Sequence, residues 1–325
     1  MSGLSEFSLI KQYFEKCTVE RADVLLGIGD DCALVQARAG QQIAISVDTL
    51  VEGIHFLPSV EPESLGHKSL AVSLSDLAAM GATPAWFTLA LTLPEVKESW
   101  LADFAKGMSK LANRHSIALI GGDTTRGPLS ITIQVHGFVK AGEALRRSGA
   151  KVGDGIYVSG TLGDAGAGLK LKQSQLIGRL LRPESTIFLE HRLERPTPRV
   201  KLGKNLLNVA NSAIDISDGL IADLGHILHT SGVGAEINID ALPISKELTD
   251  VVGRECAEKL ALYSGDDYEL CFTLALEKAD ELLQDSGVPC TKIGIVTETG
   301  DMIFNHYGQK IELTGTGYEH FSSKD

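Results

Sequence analysis

Residues 70–93 read LAVSLSDLAAMGATPAWFTLALTL, and the reading of this stretch decides the fold class. It is the best candidate for a membrane span, which needs about 20 uninterrupted apolar residues. Asp76 and the turn-like Gly81-Ala82-Thr83-Pro84 break the run, so it reads as helix, turn and strand. Toward the N-terminus the helix extends back to Pro62 through Leu65, placing Asp76 near its C-terminal end. A carboxylate there opposes the helix dipole unless a cation lies nearby. Ile43, Ile45 and Val47 alternate with small or polar residues as in a strand, and so do Ile131, Ile133 and Val135. Leu101, Phe104, Met108, Leu111 and His115 recur at helical spacing. Trp86 and Trp100 read as core; His67, His115 and His136 read as ordinary helix or strand positions.

The second half opens on the strand GIYVSG at 155–160, then the turn-rich TLGDAGAG and an apolar helix. Further strands are expected at 212–216, 235–239, 269–274 and 291–296. The alternation gives a mixed α/β protein of two domains, 1–141 and 142–325, with the boundary in the Gly-, Ala- and charge-rich stretch 141–153. Hydrophobic residues at 43% and charged residues at 22% of 325 are a globular balance. A net charge of -12 repels phosphate backbones, which argues against a nucleic-acid partner but not against small phosphates approached through metal cations. Five widely spaced cysteines without C-x-x-C suggest neither a disulfide framework nor a zinc site. The N-terminus lacks a basic start followed by an apolar run, so the expectation is a cytoplasmic protein with no membrane partner.

Chemistry is concentrated in aspartates at strand ends or beside turn glycines. They are Asp30 and Asp31 in GIGDDCA, Asp48 in ISVDTL, Asp76 in SLSDLAAMGA, Asp123 in LIGGDTT, Asp215 and Asp218 in IDISDGL, and Asp266 and Asp267 in SGDDYEL. Any one of them is most simply a turn residue whose side chain bonds nearby backbone. Asp48 and Asp215, however, close apolar strand-like runs where turn chemistry has no use for them. Asp218 either caps the following helix or joins a site. Converging carboxylates need a hard cation, and Mg2+ is the match that usually accompanies phosphates. The stretch Ser159–Asp164 offers backbone N–H groups to an anion, or is only a tight turn. Arg146 and Arg147 either grip a phosphate or are solvated linker residues, and His55 is either a half-buried histidine or a hydrogen-bonding group beside Asp48. The P-loop, the dinucleotide fingerprint, the protein-kinase set, G-x-S-x-G and H-E-x-x-H are all absent.

GIGDDCAL, ISVDTLVEGIHF, SLAVSLSDLAAMGATPAW, LIGGDTTRGPLSIT, RRSGAKVGD, SGTLGDAGAGL, AIDISDGLIADL and SGDDYEL occur in this order. The set resembles the bacterial thiamine-monophosphate kinase family from about Glu6 to Phe321; D-x-S-D-G alone is similar only to the wider aminoimidazole ribonucleotide synthetase-like superfamily. The resemblance implies a two-domain α/β fold of that type and a homodimer whose N-terminal sheets join in a barrel. It implies an N-terminal ATP- and metal-binding and dimerisation domain, a C-terminal α/β domain, and an active site between the two halves. The implied reaction is ATP-dependent phosphorylation of thiamine monophosphate to thiamine diphosphate with several Mg2+ ions. Position by position, the implied metal ligands are Asp31, Ser46, Val47 through its carbonyl, Asp48, Asp76, Asp123, Asp215 and Asp218. Gly122, Asp123, Arg147 and Ser217 would hold ATP, and His55, Asp266 and Tyr318 the thiamine phosphate.

Three positions depart from the family's usual residues: Val47 where Thr is frequent, Asp266 where Glu is frequent, and Tyr318 where Trp is frequent. No residue is assigned as general base, because a phosphate monoester is mostly deprotonated at neutral pH. The alternatives are another enzyme of the superfamily, such as a selenophosphate or aminoimidazole ribonucleotide synthetase, and a non-catalytic Mg2+- or nucleotide-binding protein.

Overall fold

The computed structural model describes residues 6–15, 18–176, 182–279 and 286–313. It divides into two compact units: Met1–Leu77 with Ala82–Gly142, and Ala78–Gly81 with Glu143–Asp325.

In the first unit a short helix α1 (Glu6–Leu9) precedes a small antiparallel pair, β1 (Val24–Leu26) and β2 (Leu34–Val35). Then come β3 (Gln41–Val51), α2 (Pro62–Ala79), β4 (Thr83–Leu93), α3 (Glu98–His115), β5 (Ala118–Arg126) and β6 (Ser130–Lys140). Residues 70–93 are the helix, turn and strand expected of them. The sheet runs β3-β6-β4-β5, with β4 and β5 parallel across the α3 connection and the other pairs antiparallel. Strand β4 is central and mostly buried, which explains its near-continuous apolar run. Edge strand β3 alternates, and one of its faces leaves Ile45 61% and Val47 57% exposed.

The segment before β3 covers one end of that same face. Val19, Val24 and Ala33 pack on Trp86, Ala118, Ile120 and Phe138. Asp23 ties the segment down by accepting hydrogen bonds from Trp86 Nε1 (3.1 Å), Arg21 and Arg38. Arg21 foremost holds this carboxyl well below the usual range against the cost of burial. Trp86 is 1% exposed as expected of core; Trp100 is instead half-buried, stacked on Phe104 at 5.1 Å.

Helices α2 and α3 meet through glycines. A Cβ on Gly66 would lie 2.0 Å from the Phe104 carbonyl oxygen, and one on Gly107 would lie 1.8 Å from that of Glu63. Both distances are far inside van der Waals contact, so only glycine lets the two backbones approach this closely.

In the second unit the sheet runs β13-β12-β9-β11-β7-β10-β8. Its strands are β7 (Gly155–Ser159), β8 (Ser212–Asp215), β9 (Gly234–Asn238), β10 (Leu270–Leu274), β11 (Cys290–Thr297), β12 (Met302–His306) and β13 (Gln309–Ile311). The four strands expected at 212–216, 235–239, 269–274 and 291–296 all form, within a residue or two at each end. The helices are α4 (Asp164–Lys172), α5 (Pro183–Glu194), α6 (Val200–Leu206), α7 (Leu220–Ser231), α8 (Lys246–Val252) and α9 (Arg254–Tyr263). One core sets Ile156, Val158, Ile214, Ile237 and Phe304 of the sheet against Leu224, Ile227 and Leu228 of α7. A second joins Ala167, Leu189, Leu248, Val251 and Leu260 from four helices.

Replacing Gly107 with Ala forces α2 and α3 apart. The expected loss is about 1–3 kcal/mol of stability, the usual cost of overpacking. Chemical denaturation of the Gly107→Ala variant beside the wild type checks it.

Candidate active site

The first unit holds Asp31, Ser46, Val47, Asp48, His55, Asp76, Gly122 and Asp123; the second holds Arg147, Asp215, Ser217, Asp218 and Asp266. Tyr318 lies outside the described residues.

On β3, successive side chains alternate between faces, so Ser46 and Asp48 share one face and Val47 takes the other. Helix α2 meets the first face. Ser46 Oγ donates to Asp76 Oδ2, and Ser73 Oγ donates to Asp48 Oδ2 at 2.7 Å. Ser73 and Asp76, three residues apart, lie on one side of the helix. Burial pushes the Asp48 carboxyl up, while the Ser73 hydrogen bond and nearby His55 draw it down. His55 is fixed by the Val51 N–H, which donates to its Nδ1 at 3.1 Å. Asp48 does not close its strand as the sequence suggested. β3 continues to Val51 because Thr49, Leu50 and Val51 still find partners in Thr132, Ile131 and Ser130 of β6.

Asp123 stands apart from this group within the sheet. The register forms one row Asp48–Ile133–Leu89–Gly122 and the next row Thr49–Thr132–Ala90–Asp123. Asp48 and Asp123 therefore sit on opposite edge strands, three spacings or about 14 Å apart in backbone. Gly122 has φ 154° and a virtual Cβ 1.8 Å from the Leu89 carbonyl oxygen, so glycine is required there. Asp31 is exposed, and its N–H bonds to the Asp30 carboxylate.

In the second unit, strand β8 ends at the buried Asp215 and leads into the half-exposed Ser217 and Asp218. Asp218 does not cap α7; the N-cap is Gly219. The capping task falls to Asp223, whose Oδ2 accepts the N–H groups of Ser217 (3.0 Å), Asp218 (3.0 Å) and Gly219 (3.2 Å). Asp223 is 2% exposed, and burial, with a contribution from the Asp218 charge, raises its pKa to about 7 against the pull of those hydrogen bonds.

The same loop is stitched to residues 265–269. Asp266 N–H donates to the Ser217 carbonyl (2.9 Å) and Tyr268 N–H to that of Ile216 (2.8 Å). Asp266 and Tyr268 adopt φ 68° and 50°, in the left-handed region. That conformation sends their side chains together, with the Tyr268 hydroxyl donating to Asp266 Oδ1 at 3.0 Å. The alternate residues turn inward. Asp267 accepts from the N–H groups of Gly163 (2.7 Å) and Ala165 (3.3 Å) at the start of α4, and burial pushes its carboxyl up. The anion offered the backbone of the Ser159–Asp164 turn is thus Asp267 of the same chain. Glu269, fully buried, accepts from Ser159 Oγ (2.5 Å), Arg192 (3.0 Å) and Arg199 Nε (2.6 Å).

Sequence reasoning passed over Ser73, Asp223, Glu269, Arg192 and Arg199. Ser73 was legible as the residue one turn before Asp76. The others act on segments distant in sequence or on backbone groups, which no side-chain pattern displays. Among the described residues, no three His, Cys, Asp or Glu side chains group closely enough to hold a metal ion as they stand. The side chains bonded together at Asp48 and Asp76 are nonetheless all oxygen donors, with a partly buried carboxylate that a hard cation would keep ionised, and this chemistry fits Mg2+. Arg147 is exposed.

Comparison with known proteins supplies the class. Residues 29–139 match the family described as AIR synthase related protein, N-terminal domain, and residues 151–306 match its C-terminal domain. The chain is an AIR synthase-related protein with both domains. It is 51% identical over 322 residues to the thiamine-monophosphate kinase of Escherichia coli K12, covering 98% of each chain. The crystal structure of thiamine-monophosphate kinase from Stenotrophomonas maltophilia K279a matches with a TM-score of 0.86 and 49% identity, over 95% of this chain and 98% of that one. A structure of AaThiL complexed with AMPPCP and TMP matches with a TM-score of 0.78 and 32% identity, over 99% of this chain and 100% of that one. The chain belongs to the thiamine-monophosphate kinase family. Among the described residues no helix is long and apolar enough to cross a membrane.

The Glu269→Gln variant leaves two buried guanidinium groups facing a neutral amide. A loss of about 3–5 kcal/mol is expected, as for breaking a buried ion pair, read from urea denaturation.

Proposed function

We infer that this protein phosphorylates thiamine monophosphate to thiamine diphosphate at the expense of ATP. The observation that carries the reading is full-length similarity at about half identity to thiamine-monophosphate kinases. The AaThiL complex with the ATP analogue AMPPCP and TMP supports the substrate pair.

The acceptor is a phosphate monoester with a second pKa near about 6, so at neutral pH its oxygen is already an anion and needs no general base. The obstacle is repulsion between that anion and the ATP γ-phosphate. On this reading Ser46, the Val47 carbonyl, Asp48 and Asp76 would hold Mg2+ beside β3, with Asp31, Asp123, Asp215 and Asp218 as further ligands. Divalent ions bound there would absorb charge as the phosphoryl group moves in line. Gly122, Asp123, Arg147 and Ser217 would hold the nucleotide, Arg147 as a guanidinium aimed at phosphate. His55 and Asp266 would meet the thiamine phosphate, each with one hydrogen bond already fixing its direction. Tyr318 would stack on the thiamine ring. The protein would act in the cytoplasm as a homodimer with N-terminal sheets joined in a barrel. Ile43, Ile45 and Val47, exposed on an edge strand, support that assembly as an apolar surface to be covered.

The test mixes the protein with ATP, Mg2+ and thiamine monophosphate and looks for thiamine diphosphate by mass, beside unphosphorylated thiamine as control. No product would sink the reading. Asp76→Asn is expected to lower kcat at least about 100-fold, the scale of losing one charge-stabilising group, while thermal melting stays near wild type. Asp266→Ala is expected to raise KM for thiamine monophosphate by about tenfold, the worth of one charged hydrogen bond, and KM for ATP much less. Steady-state kinetics with each substrate varied in turn check both variants.

A further inference from the structure

The Ser217–Gly219 loop has the form of an anion-binding nest. Three consecutive backbone N–H groups converge on one point at the start of a helix, where the dipole also favours negative charge. The point is already occupied: a single oxygen of Asp223 accepts all three bonds. Asp223 sits one turn into α7 and is 2% exposed, so the loop amides face inward, while Ser217 and Asp218 stay half-exposed. No other contact described for this loop fixes three successive residues at once.

We propose that Asp223 is the positioning residue of the nucleotide- and metal-binding loop. It clamps the amides of residues 217–219 beneath the surface, and so presents the side chains of Ser217 and Asp218 to the ligand while denying the loop's N–H groups to phosphate. The proposal rests on the functional reading above for what the loop binds, but not for the clamp itself. Asp223 touches no reacting atom; it acts through the backbone it holds. The clamp reaches a second segment as well, because the Ser217 carbonyl receives the Asp266 N–H. Asp266 has its own tie to Tyr268, so the thiamine phosphate side is buffered against loss of the clamp.

The decisive variant is Asp223→Asn, which keeps size and shape but replaces the charged oxygen that accepts all three bonds by the weaker acceptor of a neutral amide, beside an NH2 group that cannot accept at all. Three readouts are taken on the full chain: amide hydrogen exchange, KM for each substrate, and AMPPCP affinity by calorimetry with Mg2+. The expected result is faster exchange at residues 217–219 with the rest of α7 unchanged. KM for ATP and the Kd for AMPPCP should rise about tenfold or more, the usual effect of losing a residue that orients a ligand group, with KM for thiamine monophosphate changed less than threefold. Wild-type exchange and wild-type affinity would overturn the proposal. So would acceleration spread evenly over the second unit with both KM values raised alike, which marks a merely structural residue. Should Asp223→Asn fail to fold, Asp223→Glu takes its place. The longer acid keeps the charge but misplaces it, so the same split between the substrates is expected, and wild-type behaviour counts against the clamp. Failure of the wild type to form thiamine diphosphate would strike the functional reading alone, leaving exchange at 217–219 to decide on Asp223.

Discussion

Buried carboxylates that accept backbone N–H groups are the constraint on which the second unit depends. A helix start leaves several N–H groups without partners, and burying them unpaired is costly. Two helix starts here, those of α4 and α7, are reached by acids with almost no exposure, Asp267 and Asp223. Each acid lies in or beside a segment with site residues, so satisfying the helix also fixes the site. Asp267 is flanked by Asp266 and Tyr268, and while it anchors on the start of α4 those two side chains meet each other instead. Two residues further on, Glu269 also turns inward, held by the side chains of Ser159, Arg192 and Arg199 rather than by backbone N–H groups. The inward acids Asp267 and Glu269 thus alternate with Asp266 and Tyr268, whose side chains bond to each other. The left-handed backbone of Asp266 and Tyr268 is the strain that this alternation holds in place.

The first unit solves a similar problem with hydroxyls. Asp48 and Asp76 face one another's elements across β3 and α2, and two like charges at such a junction would repel. Ser46 and Ser73 each donate to the acid on the opposite element, giving a crossed pair of bonds that orients both carboxylates. The register of α2 over β3 must be accurate for this, and the close glycine contacts with α3 hold α2 in place from its other end. The helix dipole argument that singled out Asp76 from its position alone is answered in part here, by a hydroxyl donor rather than a cation.

Much of this was legible in the sequence, and the reason is periodicity. The alternation in 131–135 and the helical spacing in 101–111 report burial directly. The alternation in 43–47 gives the strand correctly, but its apolar side chains Ile43, Ile45 and Val47 lie on the exposed face. Where reading failed, the deciding partner was remote or was backbone. Asp48 looked like a strand end because the apolar alternation weakens at Thr49. Its strand continues because β6 supplies a partner for each later residue, which only pairing reveals. Of the two readings open for Asp218, helix cap or site residue, the cap is excluded: the N–H groups turn toward Asp223, an acid that reads as one more surface charge in LIADL. The Ser159–Asp164 turn read equally as an anion nest or a tight turn, and the anion it meets is a carboxylate about a hundred residues away, Asp267.

The two filled nests also bear on how so acidic a chain would meet polyanions. A helix start with free N–H groups is the usual device for phosphate. In this protein both helix starts are occupied by internal carboxylates, Asp267 and Asp223, which are themselves among the acids that give the chain its net charge of -12. On the functional reading proposed, attraction for ATP and thiamine monophosphate must then come from the exposed Arg147 and from divalent ions held by side chains. On that same reading, dependence on added cation would follow from the arrangement as a whole rather than from any one ligand. The amides of Gly163, Ala165 and Ser217–Gly219 are satisfied from within, so what these loops display toward a ligand is chiefly their side chains.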